Sequence, residues 1–176
     1  MARYIQVNCV IEIERHSNQK WEYDHMNDTL VLDRVLKYPY FYPCAYGFIP
    51  NTLGYDGDEL DIILISDKKY DNWNDSKQYI NGFIVGGLIM HDEKGRDDKI
   101  FVVPLLEIEN YENKTKSEIE IMVENIKWFF TNYKSKDEDK WSRVERVIDK
   151  DEANQVYRQS LLEYEYKCER DYNSTT

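Results

Sequence analysis

Asp56-Gly57-Asp58-Glu59-Leu60-Asp61 runs directly into the apolar stretch Ile62-Ile63-Leu64-Ile65. Three aspartates fall within six residues, and the glycine between the first two lets the backbone bend there. An extended chain places Asp56 and Asp58 on one side, because strand side chains alternate faces. Asp61 converges on them only if the segment turns at Gly57 or bends before the strand begins. Carboxylates crowded in this way repel one another unless cations neutralise them. Hard divalent cations with oxygen ligands, Mg²⁺ above all, suit such a cluster. An EF-hand loop beginning at Asp56 would need Gly at its sixth position and Glu at its twelfth. Those positions hold Asp61 and Asp67, which excludes it. A solvated acidic loop and a sugar-nucleotide D-x-D both remain open on this stretch alone.

Around this stretch, 176 residues suffice for one domain with a real core, and a single domain over 1–176 is expected. Apolar residues at 41% and charged residues at 32% describe a globular chain rather than a disordered one. The formal net charge of −11 argues against nucleic acid as a partner, since that needs a basic footprint. An anionic substrate stays open, because bound metal ions reverse the local sign. Cys9, Cys44 and Cys168 are odd in number and widely spaced, which fits reduced, mostly buried thiols. No run approaches a membrane span and Met1-Ala2-Arg3 leads into a strand-like segment, so a cytoplasmic location is expected and no membrane partner.

The patterning predicts strands over 4–14, 60–66, 79–90, 100–106 and 141–148, with Ile11 and Ile13 on one face and Glu12 on the other. A hairpin is predicted from 20–23 and 29–32, turning at Met26-Asn27-Asp28. The segment 38–46, broken by Pro39 and Pro43, reads as loop and short strand, and 67–77 as a polar surface loop. Residues 91–98 read as a polar turn. Gly82, Gly86 and Gly87 permit strong bending in a barrel wall. Ser117 and Glu120 form a capping-box pattern ahead of a helix carrying Ile119 to Tyr133. A second helix from about Glu152 has Ala153, Tyr157, Leu161, Tyr164 and Cys168 as its apolar stripe, and 173–176 read as a frayed tail. The fold class is therefore mainly β with α (α+β), with short strands suggesting a small closed barrel.

Other charged groups punctuate the chain in a definite order: V-I-E-I at 10–13, K-W-E at 20–22, L-D-R at 32–34 and F-Y-P-C-A-Y-G-F-I at 41–49. D-G-D-E-L-D-I follows at 56–62, then D-E-x-G-x-D-x-K at 92–99, F-F-x-x-Y-K at 129–134 and K-W at 140–141. This ordered set resembles the family I soluble inorganic pyrophosphatases, especially the short bacterial-type members, over roughly 10–145. The resemblance implies a five-stranded OB-like closed β-barrel with two C-terminal helices packed outside. It also implies hydrolysis of pyrophosphate by Mg²⁺-activated water, and a homo-oligomer, with a hexamer favoured. Carried over by position, Asp56, Asp61, Asp92 and Asp97 are metal ligands, and Asp58 is the general base. Glu12 and Glu22 support the acidic cavity. Lys20, Arg34, Tyr46, Lys99, Tyr133 and Lys134 match the residues that grip the two phosphoryl groups.

The chain departs from the pattern at four points: Glu14 and Glu59 stand where proline is common, Trp21 where tyrosine is usual, and Ala45 where Asn or Asp is usual. None removes a ligand or a phosphate donor. His16 and His25 fall in turns and read as solvated, while His91 could touch the site beside Asp92. Two rival functions stand beside the first. One is a metal-dependent phosphohydrolase acting on another small phosphate compound. The other is an OB-like module binding single-stranded nucleic acid, which the net charge disfavours.

Overall fold

The computed structural model describes residues 4–70 and 78–174. Five strands close the barrel: β1 (Gln6–Ile13), β4 (Ala45–Ile49), β5 (Leu60–Leu64), β8 (Lys99–Pro104) and β6 (Tyr79–Asp92). They are hydrogen-bonded in that order, and β6 returns to pair with β1. Every barrel pairing is antiparallel except β5 with β8, which run parallel. The hairpin of β2 (Gln19–Asp24) and β3 (Thr29–Val35) forms its own two-stranded sheet. Short β7 (Gly95–Arg96) and β9 (Ser142–Ile148) extend the far end of β6. Three helices follow or interrupt the strands: α1 (Ile108–Glu112), α2 (Lys116–Asn132) and α3 (Lys150–Ser174).

The barrel strands are apolar on both faces because both faces are covered. Alternate residues feed two clusters, so Ile63, Ile65, Phe101 and Val103 pack with Ile126, Phe129 and Phe130 of α2. Leu60, Ile62, Leu64, Ile100 and Val102 pack in a second cluster with Ala153 of α3. This double burial explains why Leu60 to Ile65 reads as a nearly unbroken apolar run.

Several boundaries differ from the sequence-based expectation, each for a local reason. Ile11 and Ile13 do not share a face: the β1–β4 register slips between them, and Ile11 joins the α3-side cluster while Ile13 joins the α2-side one. A bulge adds one residue and cancels the period-two alternation. Glu12 is therefore buried along with its neighbours. The capping box is Thr115 with Glu118, two residues before the predicted pair: Thr115 accepts from Glu118 N–H, and Glu118 Oε2 accepts from Thr115 N–H at 2.7 Å. The polar turn after β6 is shorter than expected, because β6 runs on to Asp92 and pairs back with β7. A short helical segment over 105–112 precedes α2, so two helices became three. Helix α3 starts at Lys150 and continues to Ser174, past the expected start of the tail. Cys9 and Cys44 are buried and free, but Cys168, on α3, is exposed. Part of the predicted surface loop, 71–77, and the last two residues of the tail fall outside the described residues.

Gly47 marks the closest approach of two barrel strands. A Cβ there would collide with the carbonyl oxygen of Val10 across the β1–β4 ladder. Neither backbone can yield without breaking ladder hydrogen bonds, so overpacking here costs at least the usual ~1–3 kcal/mol. We expect Gly47→Ala to lower the unfolding free energy, read from the shift of the urea midpoint, by at least that amount or to abolish folding. An unchanged midpoint would contradict the close approach.

Candidate active site

All thirteen residues singled out from the sequence line one cavity of about 510 Å³ at the mouth of the barrel. Nine come from strands or their ends: Glu12 on β1, Lys20 and Glu22 on β2, Arg34 on β3, Tyr46 on β4, Asp61 on β5, Asp92 closing β6, and Lys99 opening β8 just after Asp97. Asp56 and Asp58 occupy the turn before β5. Gly54 N–H donates to Asp58 O at 2.7 Å, and Gly57 takes a φ of +93°, the bend that the sequence demanded. Tyr133 and Lys134 follow α2 directly. That helix end is set by aromatic packing: Tyr133 stacks on Phe129 at 5.2 Å, Phe129 lies 4.8 Å from Tyr42, and Phe130 lies 5.8 Å from Tyr46.

The parallel pairing of β5 and β8 places Asp61 directly opposite Lys99. Lys99 Nζ lies 2.5 Å from both Asp61 Oδ2 and Asp97 Oδ1. Tyr46 donates its hydroxyl hydrogen to the same Asp61 oxygen at 2.5 Å. Across the cavity, Lys134 Nζ reaches Asp92 Oδ2 at 2.6 Å and Glu93 at 3.1 Å. Lys20 pairs with Glu22 and, at 3.2 Å, with Asp33, which also takes Arg34 Nη1 at 2.9 Å. Arg34 Nη2 is shut off from solvent and has no hydrogen-bond partner. Among the described residues no three Asp, Glu, His or Cys side chains stand gathered as a ready ion-binding group. Two of the cavity's carboxylates, Asp61 and Asp97, have the Lys99 ammonium between them.

Further lining residues were not singled out. Asp33, Glu93 and Lys140 lie inside the quoted motifs, beside residues that were chosen. Phe48 and Glu59 also lie inside quoted motifs, whereas Tyr23 and His25 line the cavity because the hairpin folds over the barrel. His91 is not among the lining residues; its Nδ1 lies 3.5 Å from Glu145 on β9 instead. His25, expected to be solvated, is exposed but meets Glu59.

The order of motifs, the barrel and the mixed-charge cavity agree with comparison to known proteins. A family model described as inorganic pyrophosphatase matches residues 9–165. The chain belongs to the inorganic pyrophosphatase family. It is 35% identical over 159 residues to the inorganic pyrophosphatase of Helicobacter pylori strain ATCC 700392 / 26695, covering 89% of this chain and 90% of that one. A solved inorganic pyrophosphatase from Coxiella burnetii superposes with a TM-score of 0.82 at 30% identity, covering 90% and 95% of the two chains. The inorganic pyrophosphatase structure from Thermus thermophilus gives 0.82 at 34% identity, with 91% of each chain covered.

In this family member the cavity holds ten carboxylates against six lysine and arginine side chains, and the imbalance marks its titration. Burial, then the charge of Asp61, pushes Glu12 up to about 8. Burial likewise raises Asp61 to about 6, against the pull of Lys99. Asp56 is raised by burial and by Asp97. Burial opposes the charged form of Asp92, but Lys134 outweighs it and holds that carboxyl below its ordinary value. Lys99 is likewise disfavoured as an ammonium by burial, yet Asp61 and Asp97 more than compensate and raise it. These carboxylates suit added positive charge, which is what a bound divalent cation brings.

The sign of the pH effect follows from Glu12. Below its ordinary value of 4.5 it is protonated in both folded and unfolded chains and costs nothing. As pH rises towards about 8, the unfolded chain ionises while the folded one holds its proton, so stability falls. With chelator present, we expect the urea midpoint to decline between pH 5 and pH 8, and Glu12→Gln to flatten the upper part of that decline. Parallel curves for the two proteins would mean that Glu12 ionises freely in the fold.

Proposed function

We propose that this chain hydrolyses inorganic pyrophosphate to two phosphates with Mg²⁺ as the required cofactor. The observation that carries the reading is the cavity itself, where acidic and basic side chains alternate around one space and Arg34 keeps a buried donor without an acceptor. A donor left so costs free energy, and a phosphoryl oxygen is the acceptor that a guanidinium fork fits best. Carboxylates alone would repel pyrophosphate and cations alone would not activate water; the mixture suits both tasks. Family membership supports the same substrate.

In this reading Asp56, Asp61, Asp92 and Asp97 hold Mg²⁺, with Glu12 and Glu22 adding to the negative field. Bound there, Mg²⁺ neutralises the substrate's charge and lowers the pKa of water towards neutrality. Asp61 and Asp97, which now hold the Lys99 ammonium, would be the residues to hold the ion, and Lys99 would then be available to phosphate. Asp58 takes the proton of the attacking water; its exposed carboxylate stands in the turn between two ligand positions. Lys20, Arg34, Lys99 and Lys134 hold the phosphoryl oxygens and stabilise the charge that develops as the bridging bond breaks. Tyr46 and Tyr133 add hydroxyl donors. The expected homo-oligomer, a hexamer by resemblance, belongs to the same proposal.

Phosphate release from pyrophosphate, measured with and without Mg²⁺ beside a simple phosphate monoester, tests the reading. We expect turnover only with the metal and little action on the monoester. Equal turnover of both substrates would make this a general phosphatase.

The roles of the aspartates separate in their Asn variants. Asp61→Asn should lower Mg²⁺ affinity, and higher Mg²⁺ should recover part of the activity. Asp58→Asn should bind Mg²⁺ almost normally yet lose about 10²–10⁴ in turnover, with residual activity rising with pH. Rescue of Asp58→Asn by Mg²⁺ would make Asp58 a ligand instead of the base.

A further inference from the structure

The β2–β3 hairpin carries Lys20 and Arg34 into the cavity, yet it shares no sheet with the barrel that carries the aspartates. Its base is anchored by Trp21, packed against the main core cluster, and by Arg34 Nε, 3.5 Å from Asp137 Oδ2; towards its tip other contacts reach the barrel. Tyr23 N–H donates to Glu12 at 2.8 Å, and the Tyr23 ring stacks on Phe48 of β4 at 5.8 Å. At the hairpin tip, His25 Nε2 lies 2.7 Å from Glu59 Oε1, with the His25 ring packed 4.5 Å from Tyr23. Glu59 sits between Asp58 and Asp61, in the turn that supplies the acid cluster. The pair thus joins the phosphate-gripping arm to the acid turn across the cavity rim.

We propose that His25 and Glu59 form a clasp that holds the hairpin in register with the acid turn, so that Lys20 and Arg34 meet a substrate already placed against the aspartates. Both are positioning residues. The inference rests on the pyrophosphatase reading above and adds to it a pair that lies outside the phosphate- and metal-binding set. A neutral ring protonated at Nε2 can also donate to a carboxylate, though less strongly than an imidazolium does. A proline at 59 offers no side-chain acceptor, so the clasp is a property of a chain that carries glutamate there. His25 is more than half exposed, so the contact contributes little to global stability, and its effect falls on the arrangement of the rim.

The test combines kinetics with amide hydrogen exchange of the full chain. His25→Ala should raise KM for pyrophosphate about two- to fivefold with kcat nearly unchanged, the range open to an exposed pair. His25→Gln, which keeps an N–H donor at that reach, should restore KM. Glu59→Ala should raise KM similarly, and the double variant should be no worse than either single one, because the two residues act through one contact. Exchange should quicken over 24–29 in both alanine variants and stay slow in His25→Gln. Additive effects in the double variant, or unchanged exchange over 24–29, would overturn the clasp. If the natural chain releases no phosphate from pyrophosphate, the function reading fails, and the exchange measurement alone decides the clasp.

Discussion

A lysine ammonium wedged between two aspartates, Lys99 against Asp61 and Asp97, ties the barrel to its cavity. Lys99 opens a strand that is buried along its whole length, and the lysine itself is only 2% exposed. A charge in that place is tolerable only with opposite charges in contact, because desolvation costs several kcal/mol per ion. The parallel pairing of β5 and β8 delivers the partner by setting Asp61 opposite Lys99. Asp97 follows from alternation, two residues before Lys99 on the same side. Tyr46, from the neighbouring antiparallel strand, completes the group.

From that centre the charge pairing spreads outwards in the same form. Lys134 is held by Asp92 and Glu93, and Lys20 and Arg34 share Asp33. Each cation that could grip phosphate is thus balanced by a carboxylate in contact with it. Acids still outnumber bases, so burial and mutual repulsion raise Glu12, Asp56 and Asp61. The cavity is a place where the fold gives up stability at neutral pH.

The aromatic cluster sets the other half of the geometry. Tyr42, Phe129, Phe130 and Tyr133 pack ring on ring between β4 and the end of α2. Their contacts fix where the helix stops, and Lys134 leaves from that stop with its ammonium facing the acid side. Shape here is decided by hydrophobic packing, while charge only occupies the positions that packing creates.

The sequence alone determined thirteen of the residues that line the cavity and most of the strands. Motif order and residue type carry that information, since the glycine in D-G-D-E-L-D lets the backbone bend there and the apolar runs match strand length. Tertiary structure decided what local pattern cannot encode. The bulge at Glu12, which splits Ile11 from Ile13, lies just past Val10, where the β6 ladder ends and β1 pairs with β4. The cap moved from Ser117 to Thr115 because both positions satisfy the same short pattern, and α1 before them sets where the chain turns. The closeness of His25 to Glu59 joins residues 34 positions apart in the sequence through the docking of a hairpin onto a barrel. Spacing along a chain fixes neighbours within an element; contacts between elements depend on register and packing, which exist only once the chain has folded.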